Sequence, residues 1–313
     1  MAHKTPFVDP TYRQISCKAP SFKILEKISS SKFSVFLISL EETQDLMALK
    51  LFPYEDNQPN KSFTNESAFL GLSHENIISF KYIEPCQKVK HKDKSSLASY
   101  IIMELAPYGC FTTLLKETNL FKNEKLVRTY FHQLIDGIEY LHSKSVAHLD
   151  LKIDNLLLGA GFKLKIADFD CSYKPGDENV SGRGTKNYRA PELRERSCTD
   201  PFAADIYAAG VILFVLLTGC FPYVEGVVID GINLEELLRT DAEQFWRAHE
   251  EFLPNPDVLT EDFKSLFMAM VREDAVERAT ILEIKQSKWY QGDVYRPKEY
   301  RKIVSNKLGL SEH

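Results

Sequence analysis

Residues 206–217, Ile206-Tyr207-Ala208-Ala209-Gly210-Val211-Ile212-Leu213-Phe214-Val215-Leu216-Leu217, carry no charged side chain. A helix made from this stretch is apolar on every face, so other elements must enclose it on all sides. It is too short to cross a bilayer. The stretch therefore predicts a large core around a central helix. A chain of 313 residues with 44% hydrophobic content can supply that core, as two domains or as one two-lobed domain.

The flanking patterns differ on the two sides of residue 105. Residues 22–25, 35–40, 48–52 and 100–104 are short strand-like runs, interrupted by one helix over 62–72, before Pro107 and Gly109 break the pattern. The period changes after that. Val127, Tyr130, Phe131, Leu134, Ile138 and Leu141 recur at helical spacing over 124–142, followed by a loop over 148–155 and a strand over 164–167. Residues 174–183, rich in Gly, Ser and charge, are expected to be an exposed segment. Helices are predicted over 245–252, 259–271 and 279–288, with Pro254 and Pro256 as breaks. The first 20 residues hold Pro6, Pro10 and Pro20 without a sustained period and read as a surface extension.

Composition narrows the function classes. Cys17, Cys86, Cys110, Cys171, Cys198 and Cys220 are scattered without close pairs, which argues against a disulfide framework or a zinc site and for a reducing compartment. No apolar segment follows the start, so a soluble protein of the cytoplasm or nucleus is expected, with no membrane partner. A net charge of −5 and the lack of a basic stripe interleaved with aromatics speak against nucleic acid. The basic cluster at 88–94 is expected to be a solvated hairpin loop between two strands, and the tail after Trp289, basic over 296–307, a solvated end, with folding back over the large lobe as an inhibitor the alternative.

The chemistry lies in His148-Leu149-Asp150-Leu151-Lys152-Ile153-Asp154-Asn155, followed by Asp168-Phe169-Asp170. These place acid, cation and amide in the order that phosphoryl transfer requires. Asp150 would orient a hydroxyl nucleophile and accept its proton. Lys152 would offset charge on the moving phosphoryl group. Asn155 and Asp168 are oxygen ligands suited to a hard cation such as magnesium.

Over roughly residues 22–289 the chain resembles the eukaryotic protein kinases, through several motifs that occur in order. Met47-Ala48-Leu49-Lys50 resembles the strand carrying the phosphate-binding lysine. Glu66, ahead of Leu72-Ser73-His74-Glu75-Asn76-Ile77, resembles that lysine's helical partner. Gly184-Thr185-Lys186-Asn187-Tyr188-Arg189-Ala190-Pro191-Glu192 resembles the end of an activation segment. Asp205 and Gly210 match a helix of the large lobe, and Arg278 matches the arginine that pairs with Glu192.

The resemblance implies an α+β, bilobal protein-kinase-like fold, with a small antiparallel β-sheet lobe carrying one main helix and a larger, mainly helical lobe. Its divisions are an N-terminal extension over 1–21, a kinase domain over 22–290 split into lobes 22–105 and 106–290, and a tail over 291–313. It implies ATP with Mg2+ or Mn2+, held in one cleft by Lys50, Asp150, Asn155 and Asp168, and a protein substrate with a Ser or Thr acceptor. Asp150-Leu151-Lys152 and Thr185 are similar to the serine/threonine branch, and the later helices to calmodulin-dependent and AMP-activated-like kinases.

For nucleotide binding the resemblance implies Ile28, Ser29, Ser31, Ser34, Val35, Ala48, Lys50, Glu66, Met103, and the backbone of Glu104 and Ala106. Bland alternatives stand beside two of these: a solvated helix-face glutamate for Glu66 and a core methionine for Met103; Asp154 is read either as attracting a basic substrate residue or as only capping its loop. Ser29, Ser31 and Ser34 occupy the positions of three glycines that let amides approach phosphates, so weaker nucleotide binding is expected. Leu149 replaces an arginine that commonly pairs with a phosphorylated activation loop, so switching by loop phosphorylation is not expected here. Asp170 replaces a glycine, adding charge beside the metal site, and Cys110 replaces a common acidic residue. The rival to an active kinase is a pseudokinase, a nucleotide-binding scaffold or allosteric regulator.

Overall fold

The computed structural model describes residues 19–30, 32–56, 58–91, 94–177, 180–194, 200–228 and 230–310. They fall into two compact units, Met1–Gly71 with Ser79–Leu105, and Leu72–Ile78 with Ala106–His313.

The first unit is a five-stranded antiparallel sheet in the order β1-β2-β3-β5-β4, built from β1 (Phe22–Ser30), β2 (Ser34–Leu40), β3 (Leu46–Pro53), β4 (Phe80–His91) and β5 (Lys94–Glu104). Central strand β3 is covered on both faces, and its alternation decides what each face holds. Leu49 joins Ile38, Leu40, Tyr100 and Ile102 in one buried cluster. Ala48, Lys50 and Phe52 point the other way, where Phe33, Phe52 and Phe63 form a run of ring contacts at 4.6 and 5.5 Å.

Phe63 lies on helix α1 (Lys61–Ser67), which starts where the Asn60 side chain accepts from the Ser62 amide. The helix ends well before residue 72, because a turn follows and Gly71 adopts φ +100°. Strand β4 has no counterpart among the sequence-predicted runs. Pro85 interrupts its pattern, and the structure absorbs that proline in an irregularity between Glu84 and Gln87 on a strand at the sheet's edge. Residues 88–91 are the end of this strand, His91 pairing with Lys94, so the basic cluster is mostly hairpin strand and not loop.

The second unit is mainly helical: α2 (Phe111–Glu117), α3 (Glu124–Ser143), α4 (Pro191–Arg194), α5 (Pro201–Thr218), α6 (Leu234–Thr240), α7 (Ala242–Phe252), α8 (Glu261–Met270), α9 (Ile281–Gln286) and α10 (Pro297–Lys307). A two-stranded ribbon of β6 (Leu156–Leu158) and β7 (Leu164–Ile166) completes it. Helix α5 is the enclosed helix expected from its sequence. Asp200 caps its start, Gly219 ends it at φ +81°, and every residue from 203 to 217 is buried. By length and composition its 18 residues suffice to cross a bilayer, contrary to the shorter span read from sequence, but here protein surrounds it. Gly210 allows α8 to approach closely, since a Cβ there would lie 3.0 Å from Met270 Cβ.

Two expectations about exposure are corrected. The tail folds onto this unit: Tyr300 and Val304 of α10 are buried, the Asn123 side chain donates to the Tyr295 hydroxyl at 2.9 Å, and the Tyr295 amide donates to Thr129 Oγ1. Apolar residues spaced four apart on a basic helix supply the docking face. The described residues of 174–183 are also only partly exposed, with Val180 buried and Asp177 and Arg183 paired at 3.0 Å; residues 178 and 179 lie outside the described residues.

Candidate active site

In the first unit, the direction of β3 places the Lys50 ammonium under Phe33 and Phe52, 5.6 and 5.3 Å from the ring centroids. An isolated buried ammonium is costly, and here Glu66 of α1 meets it at 2.6 Å with its own side chain 1% exposed. Glu66 is therefore not a solvated helix-face residue. Cross-strand pairing sets Ala48 opposite Met103 and Lys50 opposite Val35 and Ile101. Ala48 and Met103 are both buried, so the methionine packs in the core as the bland reading allowed, beside one of the nucleotide-site candidates.

Ser29 pairs with Val35 and Ser30 with Ser34 at the closed end of the β1–β2 ribbon, where Ile28 is 44% exposed. Neither Ser29 nor Ser34 has a positive φ, so the backbone there does not demand glycine. Ser31 lies outside the described residues. Glu104 donates its amide to the Ser79 carbonyl and accepts from the Ser79 amide through Oε1. Its backbone amide is thus committed to protein. Ala106 belongs to the second unit, and no protein group bonds its backbone among the described residues.

The second unit carries its own candidate residues, on the loop over 148–155 that follows α3. Asp205, 0% exposed on α5, accepts from the His148 amide at 2.8 Å, the Leu149 amide at 2.8 Å and His142 Nε2 at 2.9 Å. His148 in turn touches the Ala167 carbonyl through Nε2 and packs on Phe169, ring centroids 5.0 Å apart. Leu149 takes φ +61°, uncommon for a bulky residue, and its buried side chain holds this bend.

Three groups converge on the carboxylate of Asp150. Lys152 Nζ donates to Oδ2 at 2.8 Å, Thr185 Oγ1 donates to Oδ1 at 2.7 Å, and Asn155 Nδ2 approaches Oδ2 at 3.2 Å while donating to the Asp150 carbonyl at 2.8 Å. Lys152 also reaches Thr185 Oγ1 at 2.9 Å. Burial opposes the charge on Lys152, yet Asp150, Asp168 and Asp154 outweigh it and raise the ammonium above its ordinary range. The lysine is thereby kept cationic beside its carboxylate neighbours.

The Asn155 amide nitrogen is held by Asp150, which leaves its side-chain oxygen for another partner. The Asn155 backbone carbonyl accepts from the Ala167 amide, tying this residue to the one before Asp168. Asp168 takes φ +70°, a left-handed angle that Asp adopts more readily than most residues, while Asp170 is not in the left-handed region. Among the described residues no cluster of three His, Cys, Asp or Glu exists. The donor set of one carboxylate and one amide oxygen fits magnesium, which keeps water and takes phosphate oxygens as its other ligands.

Glu192 and Arg278, matched from sequence, form a buried bidentate pair at 2.6 and 3.0 Å. The contacts that sequence reasoning missed are the anchoring of 148–149 by Asp205 and His142, and the grip of Arg183 on Cys171, Ser172 and Asp177. A charged residue inside the apolar stretch after Asp200 was the available signal for Asp205. Burial, reinforced by Asp170 and Asp150, pushes the Cys171 thiol up to about 12.

Residues 22–290 match the protein kinase domain. The chain is 33% identical over 225 residues to serine/threonine-protein kinase SIK1 of Rattus norvegicus, covering 71% of this chain and 26% of that protein. It is 36% identical over 198 residues to CBL-interacting protein kinase 26 of Oryza sativa subsp. japonica, covering 61% and 37%. With CBL-interacting serine/threonine-protein kinase 17 of Arabidopsis thaliana it shares 34% identity over 207 residues, covering 64% and 44%. The matched part is less than half the length of each of these relatives.

Proposed function

The chain belongs to the protein kinase family, and from that premise we propose that it transfers the γ-phosphoryl group of ATP to Ser or Thr hydroxyls of protein substrates. The observation that carries this reading is the set of donors around Asp150, which fixes the carboxylate where a hydroxyl could give up its proton. Lys152, held cationic, would neutralise charge on the phosphoryl group as it leaves ADP. Thr185, bonded to both, suits an aliphatic hydroxyl acceptor beside it.

Asn155 and Asp168 would hold magnesium, which screens the triphosphate charge when bound. In this reading Lys50, fixed by Glu66, serves the α and β phosphates. Ala48 and Met103, paired across the sheet, bound the base, with backbone groups of Glu104 and Ala106 pairing with it. Ile28, Val35 and the serines of the first ribbon cover the phosphates, and an extra Cβ at each serine weakens nucleotide binding relative to glycine.

The test is transfer of labelled γ-phosphate to a basic acceptor protein with magnesium or manganese, comparing the natural chain with Asp150→Asn. A loss of at least about 100-fold in the variant is expected. Equal signals from the two chains would remove the catalytic claim. An ATP-dependent rise in melting temperature with no transfer from either would make the protein a nucleotide-binding scaffold.

A further inference from the structure

The position that commonly pairs with a phosphorylated activation loop is Leu149, whose buried aliphatic side chain offers a phosphate nothing. Other groups hold the described residues between 168 and 192. Arg183 is placed to do this. Its Nη1 donates to the Ser172 carbonyl at 2.9 Å, the Cys171 carbonyl at 3.3 Å and Asp177 Oδ2 at 3.0 Å. One guanidinium therefore joins the start of the segment, its middle and its end. The start is itself tied to the catalytic loop, since Tyr173 and Ala147 exchange backbone hydrogen bonds and Ser172 Oγ donates to the His148 carbonyl.

The consequence passes along two residues to the acceptor site. Gly184, next after Arg183, lies directly on the Leu149 carbonyl at φ +86°, where a Cβ would collide with that oxygen. Thr185 follows, and its hydroxyl reaches Asp150 Oδ1 and Lys152 Nζ. Releasing residue 183 removes one support of Gly184 and Thr185, beside the Arg189 contact to the Gly184 carbonyl and the bond from the Gly182 amide to the Leu193 carbonyl. Partial burial of both side chains, 24% exposed for Arg183 and 17% for Asp177, keeps the pair from full screening by salt.

We propose that Arg183 is a positioning residue: with Asp177 it holds the segment in its acceptor-binding arrangement without any phosphate on it, so that activity does not wait on phosphorylation of the segment. This rests on the kinase reading above and adds to it how the site is kept ready. Asp177 supplies from within the chain the negative charge that a phosphate would bring elsewhere.

The experiment uses the full chain, untreated and phosphatase-treated, beside Arg183→Gln, Arg183→Lys and Asp177→Asn. It measures kcat and KM for ATP and for a basic serine-containing peptide, with hydrogen exchange of residues 171–185. The expected results are an unchanged rate after phosphatase, an acceptor KM raised at least tenfold in Arg183→Gln with the KM for ATP within twofold, and faster exchange over 171–185. Arg183→Lys, whose ammonium can still face the same three acceptors, should recover most of the acceptor KM, and Asp177→Asn should lose less than Arg183→Gln. Loss of activity after phosphatase, an unchanged acceptor KM in Arg183→Gln, or unchanged exchange would each overturn the proposal. If the natural chain transfers no more phosphate than Asp150→Asn, the kinase reading fails, and the exchange rates alone still decide whether Arg183 orders the segment.

Discussion

Replacing Asp205 by Asn changes one atom of a fully buried side chain and tests how the catalytic loop is held. Both carboxylate oxygens are acceptors in the native arrangement, Oδ1 for the Leu149 amide and Oδ2 for the His148 amide and His142 Nε2. An asparagine keeps one oxygen and sets an NH2 group against a backbone N–H at the other. One buried donor loses its acceptor at about 1–3 kcal/mol, and the remaining bonds lose their charge assistance, for a total of roughly 2–4 kcal/mol. In a unit of this size that lowers the melting temperature by about 5–15 °C. His142→Phe removes a partner but leaves both backbone amides satisfied, so it should cost only about 1 kcal/mol.

Because His148 and Leu149 directly precede Asp150, kcat in Asp205→Asn should fall by about 100-fold, the usual effect of a displacement near 1 Å. Urea unfolding and steady-state phosphate transfer read the two effects. Stability within about 0.5 kcal/mol of the natural chain together with kcat within twofold would refute the anchoring argument.

Three further outcomes follow from the same geometry. Glu192→Gln breaks the pair with Arg278, whose side chain is 0% exposed, and should destabilise by about 3–5 kcal/mol, whereas Glu192→Leu with Arg278→Met should cost clearly less than the sum of the single changes; strict additivity in a double-mutant cycle would contradict it. Burial lowers the His249 imidazole below its ordinary 6.5, with the Phe245 and Pro222 carbonyls only partly opposing. The neutral form is then favoured in the folded chain, so stability is complete above pH 6.5 and is lost as pH falls through that value; the urea midpoint should drop between pH 7.5 and 5.5, and a drop equally large in His249→Gln would refute this assignment. Cys171, with its thiol pushed up to about 12, should be alkylated at pH 8 far more slowly than the exposed Cys86 and Cys220, and equal rates by mass spectrometry would contradict its burial.

The sequence was most legible where periodicity and chemistry agreed. Leu126 to Leu141 on α3 and the apolar run of α5 repeat over enough turns to show their faces, and Asp150, Lys152 and Asn155 are close enough in the chain that a single loop must hold them. The misreadings came where the signal is local and tertiary packing overrides it. Pro85 hid β4, because a proline at a sheet edge costs far less than one in a central strand. The basic tail read as solvated because its charges outnumber the apolar positions that dock it through Tyr300 and Val304.

Local propensity and side-chain identity, present in the chain itself, determined the split into a strand-rich first part and a helical remainder, the buried central helix, and the presence of acid, cation and amide groups for phosphoryl chemistry. The tertiary structure alone decided which further groups meet: Asp205 with the amides before Asp150, Arg183 with Asp177, and Thr185 with Asp150. The physical reason is that hydrogen bonds and ion pairs are directional and short-ranged, so they depend on where the packing of apolar faces brings each backbone. That packing is a property of the whole chain: the charge at Asp205 beside an apolar run signals a buried role without naming its partners, and no local pattern at Arg183 announces its own.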